Sequence, residues 1–376
     1  IGGQSGLSDN GSSHSNNTGV GASTLYSLTT GGSNVAVGYQ AGAALTTGHS
    51  NVLLGSNAGK LSQTGLYNIA IGTDAFDAED GNGSYAIAIG LNALGATNHD
   101  DSDFNIAIGH NAVSGDNTSG MSGIVIIGQS AGVDMNSDGA NYTTGIGYEV
   151  FANLTSGQGN TAIGKHALFA EDDGDFSTAI GFEALKAQTG TTGNVGNTAV
   201  GYRAATSLTS ARFSTFIGKD AGLVHTTGAY NTAIGYGAMD DTNAGTNSLG
   251  SAENIFIGVD AGGGTWENVA SSGNVAIGNY SMDSALNGSN SNTAVGKHSL
   301  GGLTTGDENV AAGISAGVAL TTGHSNVLLG ANAGSTATTE IANSVMVGND
   351  AGQTAVSANH VFIGDHAGYS AVANHG

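Results

Sequence analysis

Residues 34–38 read Asn-Val-Ala-Val-Gly, and variants of this motif, extended as Asn-x-Ala-x-Gly-x-x-Ala, occur twenty-one times in 376 residues. Two further clean copies lie at 68–72 and 231–235. The spacing between motif glycines is most often 17 residues and ranges from 16 to 23; these glycines stand at 2, 21, 38, 55, 72, 90, 109, 128, 147, 164, 181, 201, 218, 235, 258, 278, 296, 313, 330, 348 and 364. A period of this length is typical of a solenoid, in which each repeat packs on its neighbours.

The residues before each motif glycine show the period of a β-strand. Counting from the glycine, Val35 lies at −3, Ala36 at −2 and Val37 at −1. The −1 residue is Ile, Val or Leu in 20 of 21 copies, and the −3 residue is Val, Ile or Thr in all 20 copies that can be read. β-branched residues at alternate positions favour one buried strand face. We therefore expect five-residue strands whose −3 and −1 columns face the core.

The identical phase of every coil predicts parallel strands. Residues 1–376 are expected to form a single continuous all-β domain, a parallel β-solenoid (β-roll) of about 21 coils with 17–20 residues each. At about 4.8 Å per coil this would be a rod roughly 100 Å long.

The −2 column suggests that the other strand face is covered too. It is Ala in eleven copies, and in others it is large and apolar. Either a neighbouring chain packs there, or the second half of the coil wraps further over the strand. We favour the neighbouring chain, which predicts a homotrimer or homopolymer whose interface contains Leu53, Ile126, Phe216, Phe256, Leu328, Met346 and Phe362.

Three other columns indicate backbone requirements. Asn occupies −4 in 13 of 20 copies, where it could form a hydrogen-bonded ladder along the axis, fix the turn into the strand, or do both. The motif glycine indicates a positive φ or the close approach of another chain. Ala at +3 in 16 of 21 copies indicates tight packing.

Composition excludes several classes of function. A net charge of −22 with only seven Lys and Arg argues against nucleic acid and anionic membranes as partners. No apolar run is long enough to span a membrane, and no signal peptide is evident. Because Ile1-Gly2 resembles the second half of a repeat strand, we expect this segment to belong to a longer fibre.

The Asn-x-Ala-Ile/Val-Gly-x-x-Ala repeats resemble the heads of trimeric autotransporter adhesins (YadA-like heads) and repeat-containing phage tail fibres. The resemblance covers essentially the whole chain, although the usual spacing of 17 is longer than in the adhesin heads. It implies a left-handed β-roll, three chains about one axis, and surface attachment outside a cell or on a virion tail. A heptad stalk and a membrane anchor, which complete such adhesins, are not evident in this sequence.

Three variable segments are candidate sites. The long spacing after Gly235 carries Asp240 and Asp241, and the next carries the only Trp, Trp266, which could stack on a sugar or fill a local gap. Asp134, Asn136 and Asp138 match the first half of a calcium loop, but Gly145 replaces the acidic residue at its twelfth position. An ordinary turn explains the same residues, and no other cofactor is expected.

Motif spacing indicates no catalytic constellation, so we expect a protein that is not an enzyme. The main hypothesis is a rigid oligomeric shaft or head that mediates attachment to a host or receptor, with a cell-surface receptor or glycan as partner. The alternative is a subunit of a self-assembling extracellular filament or sheath. Ice binding through a threonine face is disfavoured because the −3 threonines interchange with Val and Ile and so look buried: Thr144, Thr161, Thr178, Thr198, Thr215 and Thr232.

Overall fold

The structure is a computed structural model that describes residues 16–78, 82–95, 103–115, 120–135, 138–190, 193–242, 250–337, 340–355 and 357–369. The chain divides into two compact units, Ile1–Val195 and Gly196–Gly376. Both units consist of parallel β-solenoid coils, which confirms the predicted fold class.

In the first unit, ten short strands carry the motif and each pairs in parallel with a strand of a neighbouring coil. The motif strands are β1 Thr18–Val20, β2 Val35–Val37, β3 Val52–Leu54, β4 Ile69–Ile71, β5 Ile87–Ile89, β6 Ile106–Ile108, β7 Val125–Ile127, β8 Thr144–Ile146, β9 Thr161–Ile163 and β11 Thr178–Ile180. Two shorter strands pair with each other, β10 Gly174–Asp175 and β12 Gly193–Asn194. A 3-10 turn spans Asp138–Ala140.

The second unit repeats this arrangement with ten strands. They are β13 Thr198–Val200, β14 Thr215–Ile217, β15 Thr232–Ile234, β16 Ile255–Ile257, β17 Val275–Ile277, β18 Thr293–Val295, β19 Val310–Ala312, β20 Val327–Leu329, β21 Val345–Val347 and β22 Val361–Ile363. Equivalent positions stand opposite each other in every pair, as in Ala199↔Phe216 and Phe216↔Ala233. The strands have three residues where five were predicted.

The two faces of the strand are the reverse of the prediction. Val35 and Val37 are 37% and 39% exposed, whereas Ala36 between them is buried. Of the predicted interface residues, six lie inside their own coil and are at most 1% exposed: Leu53, Ile126, Phe216, Phe256, Leu328 and Met346. Phe362, in the last strand, is half-buried in the same column. A side chain enclosed by its own chain cannot contact a second one, so the predicted interface was wrong and the coil itself wraps over this column.

A size relation between two positions explains how one thin coil fills its interior. Where −2 is Ala, the residue at +4 is usually large; Ala70 and Phe76 are an example, and both are buried. Where −2 is large, +4 is glycine, since a Cβ on Gly222 would collide with the Phe216 ring. The same pairing joins Leu53 with Gly59, Ile126 with Gly132, Phe256 with Gly262, Leu328 with Gly334, Met346 with Gly352 and Phe362 with Gly368.

The motif glycine has the predicted positive φ, and the close approach that the sequence assigned to another chain comes from its own chain. Gly38 has φ of 145°, a region that favours glycine. A Cβ at this position would also collide with the carbonyl oxygen of Gly55, the motif glycine of the next coil. The close neighbour is therefore the same chain.

The −4 asparagines form the predicted ladder and also fix the turn. Asn34 donates from Nδ2 to Asn17 Oδ1 (3.1 Å) and to the carbonyl oxygen of Gly48 (2.9 Å). In the second unit an unbroken ladder joins Asn231, Asn254, Asn274, Asn292, Asn309 and Asn326. Buried amides with these partners satisfy polar groups that would otherwise destabilise the interior.

Candidate functional site

The outward sheet face, formed by the −3 and −1 columns, is a regular apolar surface of each unit. Its residues are Val, Ile, Thr and Leu almost throughout, and they are partly or substantially exposed. The −3 column of this face holds eight threonines. The six named above were expected to be buried, and all six are instead partly exposed. That reason for setting ice binding aside was therefore wrong.

A second exposed feature lies at −5, where the first unit carries what we call the aromatic column: Tyr67, Tyr85, Phe104, Tyr142 and Phe176. The rings of Tyr67 and Tyr85 stack with centroids 5.2 Å apart, and those of Tyr85 and Phe104 at 5.0 Å. The ring of His49 meets Tyr67 edge-on at 5.3 Å.

The aromatic column stands on strained backbone. Tyr67, Tyr85, Phe104 and Tyr142 have φ of 58°, 60°, 60° and 57°, a region that bulky residues rarely adopt. Other coils place Ser, Gly, Asn or Glu at −5 with positive φ, as at Ser291, and the second unit carries Phe213 and Tyr230 there, whose rings stack at 5.6 Å. Sequence reasoning missed this column, although aligning the repeats five residues before each glycine would have revealed it.

The +1 and +2 columns carry most of the charged contacts. In the second unit the Lys219 ammonium lies over the rings of Tyr202 (5.6 Å) and Tyr236 (5.0 Å), and it pairs with Asp220. In the first unit His166 Nε2 lies 3.0 Å from Glu149, and its Nδ1 lies 3.8 Å from Glu183. These contacts link successive coils across the surface.

Trp266 does not form the predicted sugar platform. Its indole is fully buried, donates from Nε1 to the carbonyl oxygen of Gly262 (2.9 Å) and packs edge-on against Phe256 at 5.6 Å. Trp266 therefore fills a local gap, which is the second of the two roles that the sequence analysis considered for it. Asp241 Oδ2 accepts a hydrogen bond from Thr265 Oγ1 (2.5 Å). This bond joins Asp241 to the segment of the next coil that carries Trp266.

Asp240 belongs to a group of carboxylates on neighbouring coils of the second unit. Burial, followed by the charges of Asp260, Asp241 and Asp220, raises the pKa of Asp240 to about 6. The pKa of Asp283 is raised by burial and by Asp260. The charged neighbours that shift this pKa are all aspartates, so the carboxyl is protonated at a higher pH than an ordinary aspartate.

The acidic segment 171–175 includes a buried carboxylate. Glu171 Oε1 accepts hydrogen bonds from the backbone amides of Asp172, Asp173 and Gly174 (3.2, 3.3 and 2.7 Å), and Oε2 accepts one from Gln188. Carboxylate oxygens of Glu171, Asp172 and Asp173 lie within 4.8 Å of one another. Glu171 thus holds the turn together and is not part of a solvated loop.

The predicted calcium loop lies largely outside the described residues. Asn136 and the side chain of Asp138 belong to the part that is not described, and Asp134 is exposed. The calcium prediction therefore remains a prediction.

Comparison with models of protein families gives no match, and no curated protein matches the sequence. Across the described residues, no helix has the length and apolar character needed to cross a membrane.

Proposed function

We propose that this chain is a rigid structural segment of an extracellular attachment fibre, such as an adhesin head or a tail-fibre shaft. The observation that supports this most directly is that the described coils, apart from the first and the last, close their cores within one chain while keeping one backbone geometry. Such a scaffold presents regular columns of side chains whose identity varies freely from coil to coil.

We further propose that copies of the chain associate through the outward sheet face. With strands about 4.8 Å apart and a rise of about 3.3 Å per residue, two columns on ten strands cover about 300 Å² in each unit. An apolar patch of about 300 Å² is comparable with the largest patches that monomers expose, and such patches are often functional. The face is almost free of charged residues. A second copy can therefore pack its own outward sheet face against it without burying ionised groups.

The mass of the purified chain in solution tests association, by light scattering during size exclusion with electron microscopy of the same peak. We expect a stable particle of a few chains. Ile163→Lys with Ile180→Lys, two half-exposed residues of this face, should yield a folded monomer. A matched control places Lys at Tyr148 and Tyr202, on the exposed +1 column, and should keep the mass of the parent.

The outcomes separate the hypotheses. A polymer that grows with concentration would support the filament alternative instead of a closed fibre segment. A parent chain that is monomeric at every concentration would overturn association through this face.

Ice binding is a second candidate, favoured by the exposed threonines of the outward sheet face. Thr161 and Thr178 lie on adjacent paired strands with in-register Cα positions. Flat rows of hydroxyls and methyl groups can order water on a repeating lattice. Thermal hysteresis of the chain, compared with a Thr161→Lys variant, tests this function; no hysteresis in the parent would exclude it.

A further inference from the structure

We propose that the aromatic column of the first unit binds a neutral polysaccharide laid along successive coils. This inference rests on the proposed attachment function and names the chemical class of the partner. It concerns a surface distinct from the outward sheet face, because the −5 position precedes the strand and its side chains are among the most exposed in the chain.

Neither core packing nor backbone preference accounts for these rings. Tyr142 is 70% exposed, so little of its apolar surface is removed from water. Its φ of 57° strains a bulky residue at a position where the chain elsewhere uses glycine, as at Gly123. Exposed rings on strained backbone, repeated five times in one column, indicate a surface used for contact.

The rings present two kinds of aromatic surface. Tyr67, Tyr85 and Phe104 form a stacked ridge. Tyr142 instead lies over Gly123, where a Cβ would come within 3.0 Å of its Cδ1, and Phe176 lies over Gly159 in the same way, at 2.7 Å. A ring lying over a glycine backbone turns one face to solvent. The electron-rich face of such a ring attracts the weakly positive C–H groups on the face of a sugar.

Hydrogen-bonding groups flank the rings in the adjacent −6 column. Asp103 Oδ1 accepts from the backbone amide of Ser84 (2.7 Å), and Asp175 Oδ1 accepts from that of Gln158 (2.8 Å). These bonds fix each carboxylate beside the column and leave its other oxygen to accept a sugar hydroxyl. A few convergent polar groups beside an aromatic surface are the usual composition of a small-molecule site.

The charge of the chain and the spacing of its strands restrict the class of polysaccharide that the column can bind. The net charge of −22 and the carboxylates beside the rings oppose sulfated or uronic polymers, which leaves neutral sugars. Strands about 4.8 Å apart repeat at nearly the length of one sugar residue in an extended chain. Tyr142 and Phe176, which both lie over a glycine, stand two coils apart and would therefore meet every second sugar of a β-linked polymer.

Calorimetric titration of the full chain with cellohexaose, chitohexaose and mannohexaose tests the proposal. We expect at least one to bind, and the triple variant Tyr85→Ser, Phe104→Ser, Tyr142→Ser to weaken binding at least tenfold. Serine is the residue that this chain itself uses at −5 with the same backbone, at Ser291 and Ser325. The melting temperature should therefore change little.

The matched control is Glu253→Ser with Glu308→Ser, which alters the same column in the second unit and should leave the affinity unchanged. Absence of binding to all three hexaoses, or equal binding by the parent and the triple variant, would overturn the proposal. A change in molecular mass in the triple variant, without sugar binding by the parent, would mean that the column contacts a protein. Association through the outward sheet face is measured separately, so either hypothesis can fail alone.

Discussion

Two coils fill the same interior volume from opposite sides. In the first unit, the coil at 69–76 has Ala70 on the strand and Phe76 on the opposite wall, while in the second the coil at 215–222 has Phe216 on the strand and Gly222 opposite. The difference shows that the large −2 residues are one half of an intramolecular pair. The −2 column considered alone predicted contact with a second chain. The −2 and +4 positions considered together account for a core that closes within one chain.

The largest expected effect comes from placing a charge inside this core. Phe216→Asp should lower the free energy of unfolding by more than about 4 kcal/mol, because an unpaired carboxylate would replace a fully buried ring. Urea denaturation followed by circular dichroism measures this change. The control Ile217→Asp, on the half-exposed neighbour, should lower stability by only about 1 kcal/mol. Folded Phe216→Asp monomers, released from a larger assembly, would instead revive the interface interpretation.

Exchanging the two halves of the pair sharpens the comparison. Phe216→Ala alone should lower the free energy of unfolding by about 3–5 kcal/mol through the cavity that it leaves. Adding Gly222→Phe should recover most of that loss, because the coil then matches Ala70 and Phe76, and Phe76 adopts a φ of 54° at the same position. Thermal melts of the single and double variants measure the coupling. Additive losses would contradict the size relation.

The asparagine ladder differs between coils as well. Asn274→Ala, inside the unbroken ladder, removes partners from Asn254 and Asn292 and from the carbonyl oxygen of Ser289, and should cost about 1–3 kcal/mol. Asn160→Ala is the comparison, since Asn160 bonds to Gly174 and Ser177 without an asparagine on either side. We expect a smaller loss there. Chemical denaturation measures both losses. Equal decreases in the free energy of unfolding would indicate that the bonds between asparagines add no stability beyond the bonds that fix the turn.

The smallest expected effect is on the pH dependence of stability, and it is tested by comparing the two aspartates at +5, Asp77 and Asp240. Burial and Asp74 raise the pKa of Asp77, which Lys60 partly offsets, whereas the pKa of Asp240 reaches about 6 with no such cation. A carboxyl whose folded pKa exceeds its unfolded value of about 3.8 stabilises the fold below pH 4 and loses that contribution as pH rises through 6.

Asp240→Asn should therefore flatten the fall in melting temperature between pH 4 and pH 6, and Asp77→Asn should change it less. Melting temperatures at half-unit pH steps test this. A wild-type profile that rises across the same window would contradict the assigned direction.

Aligning the repeats predicted much of the fold, and the wrong prediction of which strand face is buried has a physical reason. The period, the parallel register, the glycine requirement and the asparagine ladder all depend on contacts between equivalent positions, such as Asn34 with Asn51, which a repeat alignment exposes directly. Which strand face points inward depends instead on contacts between different positions of one coil. Val35 and Ala36 are both apolar, so alternation alone could not orient the strand.

The candidate sites were predicted less well for a related reason. Trp266 was considered for sugar binding because it is the only Trp, yet its indole fills a gap beside Phe256. The aromatic column was overlooked because its members are ordinary tyrosines and phenylalanines, whose importance depends on stacking and exposure. Sequence showed where the aromatic residues lie, and only the coordinates showed which of them face solvent.

By itself, the sequence determined that this protein is a parallel β-solenoid, because a motif repeated at nearly constant spacing forces each coil to pack on its copies. The tertiary structure alone decided what lies inside the coil. The return segment places +4 against −2 and closes the core over Phe216 or against Phe76, so the small and large apolar residues go inward and the β-branched ones outward. That orientation is a matter of volume and steric fit across the coil, which a one-dimensional pattern does not contain.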